Sequence, residues 1–315
     1  MEMRPSARAW CGLLTGLFVL AATPGEAQSP ASPATAAGRD LASVEASTVL
    51  AGRWEFTIDG WIFAPTGRLQ VGEFATGPSK AGSAPGTQLR LSDLGIDVSG
   101  SLQGSAAFHF TADDAVRISY RYTFLRGSTT ISQSVVFNGQ EFTAGSLETN
   151  ADYWQISAAY ERSLISRPTG ERLVGSVGLT YVYFNPTLTG TSPPGTGVEM
   201  HGRSNSEDFY RQELPVPILG LRWEYPLSRH WQLHLAVSGG ALPWMNSGRQ
   251  EGGTVSLQQA QADASIGLAY TFGPHAQLEA GYHFTYFTQH EKSHEDNNFF
   301  QLFENGAQIR FTLRF

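Results

Sequence analysis

The feature that most constrains this chain is a two-residue alternation of apolar and polar side chains, held through runs of about ten residues and repeated from Arg53 to the end. Val116, Ile118, Tyr120, Tyr122 and Phe124 alternate with Arg117, Ser119, Arg121 and Thr123. Trp231, Leu233, Leu235 and Val237 alternate with Gln232, His234, Ala236 and Ser238. Ala276, Leu278, Ala280, Tyr282, Phe284 and Tyr286 alternate with Gln277, Glu279, Gly281, His283 and Thr285. Successive side chains of a strand point to opposite faces, so each run has one apolar face and one polar, small or charged face. Runs this long exceed the five or six residues common in globular strands and match the roughly 9 to 11 that a tilted strand needs to cross a bilayer. Past the first thirty or so residues no stretch is apolar for the roughly 20 positions a spanning helix requires, so membrane insertion has to be by closed strands.

Connections between the runs alternate in length. Short ones fall at 111–115, 166–171, 228–230 and 273–275; long ones fall near 64–97, 127–149, 186–207 and 288–298, with a shorter one at 246–253. Short turns at one end and long loops at the other are the asymmetry of a membrane barrel. The expected fold is all-β: an antiparallel up-and-down transmembrane β-barrel of about ten strands, with eight to twelve as the range. The strands are expected near 53–63, 98–110, 115–126, 151–165, 172–184, 213–226, 230–244, 255–272, 276–287 and 300–315. Apolar faces carry aromatic residues near the run ends (Trp54, Tyr120, Tyr181, Tyr183, Trp223, Tyr225, Trp231, Tyr270, Phe272), where interfacial girdles lie.

The first part of the chain differs. Arg4 and Arg8 precede a short apolar run from Trp10 to Ala22, followed by Pro24 and Ala27, the order of an export signal with cleavage after Ala27. Residues 1–27 are therefore read as signal peptide, 28–50 as a Ser-, Pro- and Ala-rich periplasmic lead-in, and 51–315 as the barrel. Cys11, the single cysteine, sits inside the signal, which excludes a disulfide scaffold and a cysteine metal or nucleophile site in the exported protein. A formal net charge of -7 with no basic stripe excludes a nucleic-acid partner.

The last ten residues carry Gly306, Ile309, Phe311, Leu313 and a final Phe315. This resembles the terminal strand signal of Gram-negative outer-membrane β-barrel proteins. The resemblance implies residence in the bacterial outer membrane, surrounded by lipid and lipopolysaccharide, and recognition of those five residues by the barrel-assembly machinery. It implies no activity.

No nucleophile elbow, zinc-protease helix, phosphate loop or calcium loop is present, and no cofactor is expected. His290, His294 and Asp296 have metal-ligating chemistry, but a solvated charged loop is the preferred reading. Omptin-class proteases also have ten strands and work with acids and a histidine at the outer rim; His201, Glu207, Asp208, His290, His294 and Asp296 are rim material without a motif to assign them. Lipid-deacylating barrels need a serine and histidine facing lipid, where this chain is apolar. Enzyme chemistry is thus not expected; the chain is expected to act through its outer loops, which offer a place for an extracellular ligand, or to serve in envelope structure.

The inward positions hold Glu55, Asp59, Arg117, Arg121, Glu161, Arg222, Glu224, Asp263, Glu279, Glu304, Arg310 and Arg314, with His109, His234 and His283 among them. Near-balanced charge favours a filled or narrow lumen, with a charge-lined solute channel as the alternative. Closure of the first strand on the last fixes one register: Trp54 opposite Phe315, Phe56 opposite Leu313, Glu55 opposite Arg314 and Asp59 opposite Arg310. A one-residue slip sends charge into lipid.

Overall fold

The computed structural model describes residues 53–72, 86–191, 203–206, 210–211, 215–250, 254–293 and 296–315. The expected export signal with Cys11, the expected lead-in, His201, Glu207, Asp208 and His294 lie outside them. Among the described residues ten strands form the wall: β1 (Arg53–Phe63), β2 (Ser99–His109), β3 (Asp114–Phe124), β4 (Tyr153–Ser166), β5 (Arg172–Phe184), β6 (Val216–Pro226), β7 (Trp231–Gln250), β8 (Thr254–Thr271), β9 (Ala276–Lys292) and β10 (Asn297–Arg314). Each pairs antiparallel with the next, and β1 pairs with β10, so the sheet closes with no edge in the wall at the level of β1.

The closing register has Glu55 opposite Arg314, Phe56 opposite Leu313, Ile58 opposite Phe311, Asp59 opposite Arg310 and Gly60 opposite Ile309, as the alternation predicts. Trp54 and Phe315 exchange both backbone hydrogen bonds, at 3.2 and 2.9 Å. Outward pairs along this seam are therefore the hydrogen-bonded ones. Inward pairs are the narrower kind, with Cα atoms about 4.5 Å apart.

The outward face is apolar and exposed: Phe56, Ile58 and Ile62 on β1, Val116, Ile118 and Tyr120 on β3, Ile309 and Phe311 on β10, and Phe315 just past it are all of this kind. Exposed apolar surface on this scale is unstable in water and is what a lipid-facing wall requires. Aromatic rings gather at both ends of the band. Trp154 stacks on Tyr183 at 5.3 Å toward the long loops, and Trp54 lies 5.0 Å from Phe108 near the short turns.

Strand ends at the short turns match the expected ones within two residues, but at the long-loop end β7, β9 and β10 run on. β9 and β10 meet at Lys292 and Asn297, and β7 reaches Gln250. Beyond Phe287 both faces of β9 are polar (Thr288 and His290 outward, Gln289 and Glu291 inward), so the alternation that marks a strand fades while the ladder persists. The segment Thr66–Gln70 continues β1 past Pro65 without losing register: Phe63 faces Gly306 and Thr66 faces Phe303. Proline deletes one donor but not the pairing on either side of it.

The expected loop at 127–149 is likewise a continued hairpin. Arg126–Ile131 pairs with Gly145–Asn150, and a smaller hairpin, Val135–Phe137 with Gln140–Phe142, forms its tip. The two-residue turn at that tip is Asn138-Gly139, with φ of 48° and 65°. Both central residues need positive φ in such a turn, which Asn-Gly supplies with least strain.

Candidate functional site

Alternation places the charged side chains inside, and the closed sheet gives each a partner from another strand. At the short-turn end they form a chain along the wall. Arg314 Nε donates to Glu55 at 2.9 Å, Arg117 donates to Glu55 at 2.7 Å and to Glu161 at 2.7 Å, and Arg222 reaches Glu161 at 3.3 Å and Glu224 at 2.9 Å. Arg172 completes it, 3.9 Å from Glu224. A second line runs from Asp59 to Arg310 (3.3 Å), on to Glu279 (3.3 Å), and from Glu279 to the His234 ring at 2.7 Å. Removing these ions from bulk water costs about as much as their pairing returns, so they specify how the strands sit more than they stabilise them.

Other contacts cross the lumen. Arg121 on β3 and Asp263 on β8, five strands apart in the ring, meet at 2.8 Å. Gln155 on β4 donates to Gln261 on β8 at 3.0 Å. His283 lies 3.5 Å from Asp263, and Thr285 donates to the same carboxylate at 3.0 Å. Between this crossing and the short-turn end lies a cavity of about 250 Å³, whose small hydroxyl residues Ser105, Ser119, Ser157 and Ser176 leave room that the arginines do not fill. It can hold about eight waters at roughly 30 Å³ each.

Toward the long loops the lumen changes character. Glu304, fully buried, accepts from Trp61 Nε1 at 2.9 Å and from the Tyr153 hydroxyl at 2.7 Å. Trp61 is itself held between the Arg121 guanidinium, 4.9 Å from its ring, and the His283 ring at 4.3 Å. Past Glu304 the inward residues are Phe63, Leu302, Phe300, Phe287 and Phe184, packed as one core in which Phe184 stacks on Phe300 at 4.2 Å. The outer segments fold onto it. Phe137 and Phe142 from the hairpin tip and Leu91, Leu94 and Ile96 from the segment before β2 join the same core. Backbone bonds from Asn138 to Val71 and from Thr87 to Val136 tie those segments together. Burying each large apolar side chain is worth about 1.5–3 kcal/mol. Alternation alone predicts a polar interior throughout; the sign that this end differs is the loss of contrast where both faces of β10 become apolar, as at Phe299-Phe300.

The remaining singled-out residues fall elsewhere. Ile309, Phe311 and Phe315 are outward and exposed and Leu313 is outward in the β10 pattern, whereas Gly306 is inward and buried opposite Phe63. A Cβ at Gly306 would run into the Ile62 carbonyl oxygen, so the close approach of β1 requires glycine there whatever else reads it. His290 is on the outer face, bonded to Asn297 Oδ1 at 3.1 Å and edge-on to Trp244. Asp296 is held by Ser293 at 3.2 Å. Among the described residues no three metal-ligating side chains converge.

No protein-family model matches the chain, and no curated protein matches it. Solved structures do. The outer membrane protease OmpT from Escherichia coli is 11% identical, with 83% of this chain and 97% of that one covered and a TM-score of 0.48. Ail, the attachment invasion locus protein of Yersinia pestis, is 11% identical over 83% of this chain and 99% of its own, with a TM-score of 0.29. The translocator domain of the autotransporter NalP from Neisseria meningitidis is 14% identical over 87% and 92%, with a TM-score of 0.39. The fold is a closed antiparallel β-barrel of the outer-membrane type, as its own ladder and apolar belt define it.

Proposed function

We propose that this chain is an integral, non-enzymatic protein of the bacterial outer membrane whose lumen is sealed, and which acts through the surfaces it raises above the outer leaflet. The short-turn end, with Phe315, faces the periplasm, and the long-loop end faces outward. The observation that carries the reading is the apolar core at the outer end of the lumen, stacked on the Arg121–Asp263 crossing. Ions do not pass a dry, aromatic-filled section, because no polar group there replaces their hydration. A narrow solute channel remains the second reading, favoured by the roughly 250 Å³ cavity on the periplasmic side. A surface hydrolase has less support: His290 and Asp296 have separate partners, Asn297 and Ser293. The test is purified protein in a planar bilayer, with no steady conductance expected. A persistent open current on the scale of a general porin overturns the sealed lumen.

A further inference from the structure

Two arginines on the outer face of the barrel stand directly opposite each other. Arg68, in Thr66–Gln70, pairs with Arg90, in the two-residue strand Leu89–Arg90, and both side chains are exposed. Like charges at directly opposed positions weaken a sheet. Among the described residues neither guanidinium has an acidic partner. Arg68 Nη1 donates to Gln88 Oε1 at 3.4 Å, and the Asp93 carboxylate accepts from the Arg90 backbone N–H at 3.3 Å. By contrast Arg126, also exposed beside the outer aromatic girdle, is neutralised by Asp152 at 2.6 Å.

Their height above the membrane follows from β10. Its outward residues are apolar from Phe315 to Ala307, and the first polar one is Asn305, which accepts from the Tyr282 hydroxyl at 3.0 Å. Ten residues at about 3.4 Å and a tilt near 40° rise about 26 Å, the thickness of the lipid-facing band. Arg68 lies opposite Gln301, four residues higher, which adds about 10 Å. That is the far side of a headgroup zone about 6 Å deep, and arginine stems reach down to such a zone from above. One row nearer the membrane, Phe303 and Tyr286 lie ring to ring at 4.9 Å, forming an apolar shelf beneath the two cations.

We propose that Arg68 and Arg90 together bind a phosphate group on the headgroup of an outer-leaflet glycolipid. The phosphate supplies the missing counter-charge to two guanidiniums, whose planar forks match its oxygens, while the Phe303–Tyr286 shelf, two residues above Asn305, lies in the headgroup zone beneath them. The inference rests on the outer-membrane placement proposed above, not on whether the lumen is sealed.

The experiment uses the full barrel in nonionic detergent, with diphosphoryl lipid A as probe and native mass spectrometry as readout. One lipid A is expected to stay bound to the wild type. Arg68→Gln with Arg90→Gln weakens it by about tenfold or more, chemically dephosphorylated lipid A binds correspondingly less, and Arg167→Gln at the opposite end changes nothing. Heat-modifiable gel mobility shows that each variant is folded. Equal binding by the double variant, or by the dephosphorylated lipid, overturns the site. Displacement by millimolar inorganic phosphate makes it a free-anion site and overturns the lipid assignment. Because no step measures current, a conducting barrel would sink the sealed lumen and leave this result standing.

Discussion

Thr57 and Thr312 face each other across the seam that closes the barrel, inside the lumen, with hydroxyl oxygens 3.2 Å apart. They occupy a narrow pair, and Cα atoms about 4.5 Å apart fall within the range a disulfide bridges without backbone movement. Thr57→Cys with Thr312→Cys, in a Cys11→Ser background, is expected to oxidise to an intramolecular bond in the folded protein. The positions are 255 residues apart. Closing so long a loop removes chain entropy from the unfolded ensemble worth about 5.5 kcal/mol at 25 °C in the entropic model, an upper bound where residual structure persists. The assay is gel mobility with and without reductant, together with the temperature at which the folded band converts to the unfolded one. That temperature should rise for the oxidised protein and return on reduction. Thr57→Cys with Arg310→Cys samples a register slipped by two, where the side chains are about 7–8 Å apart. If that pair links as fast as the first, or if the first fails to link in folded protein, the seam is not built as described.

The cross-lumen ion pair gives a second prediction: Asp263→Asn or Arg121→Gln alone should destabilise the barrel by about 3 kcal/mol, because each leaves one charge in a confined site without its partner. The double substitution should recover part of that loss in a double-mutant cycle on urea unfolding, and strict additivity would argue against direct coupling. In the apolar core, Phe300→Ala should cost about 3–5 kcal/mol by opening a cavity among Phe184, Phe287 and Leu302; a loss under about 1 kcal/mol in the same unfolding assay would mean the outer core is not close-packed.

Much of the wall could be read from the chain, for a local reason. Where one face meets lipid and the other meets charge, every residue reports its orientation, so Glu55 and Asp59 on β1 and Arg310 and Arg314 on β10 were enough to fix the seam. The same logic fails where the two faces become alike. Phe299 and Phe300 are both apolar yet face opposite ways, and Gln289 and Thr288 are both polar yet do the same. Trp61 and Tyr153 could not be recognised as the groups that hold Glu304, since they come from strands far apart in sequence and nothing local marks the meeting. Arg172 carries no such signal, because it opens a strand beside a turn, where an arginine ordinarily meets water. The Asn138-Gly139 pair is a strong local hairpin signal inside the segment expected as a long loop.

The unbroken pairing above the lipid band limits how the exposed part of this wall can change over evolutionary time. The register that joins Tyr153 to Thr123 also joins Asn150 to Arg126, and the one that joins Tyr153 to Phe184 also joins Asn150 to Thr187. Inserting a single residue near Ala151 would reverse every side chain beyond it, turning buried Leu147 toward solvent. Lengthening by two preserves the parity. Surface-exposed variants of this barrel should therefore differ in height by even steps along each strand, with odd steps tolerated only where a bulge absorbs them, as between Leu242 and Met245 on β7.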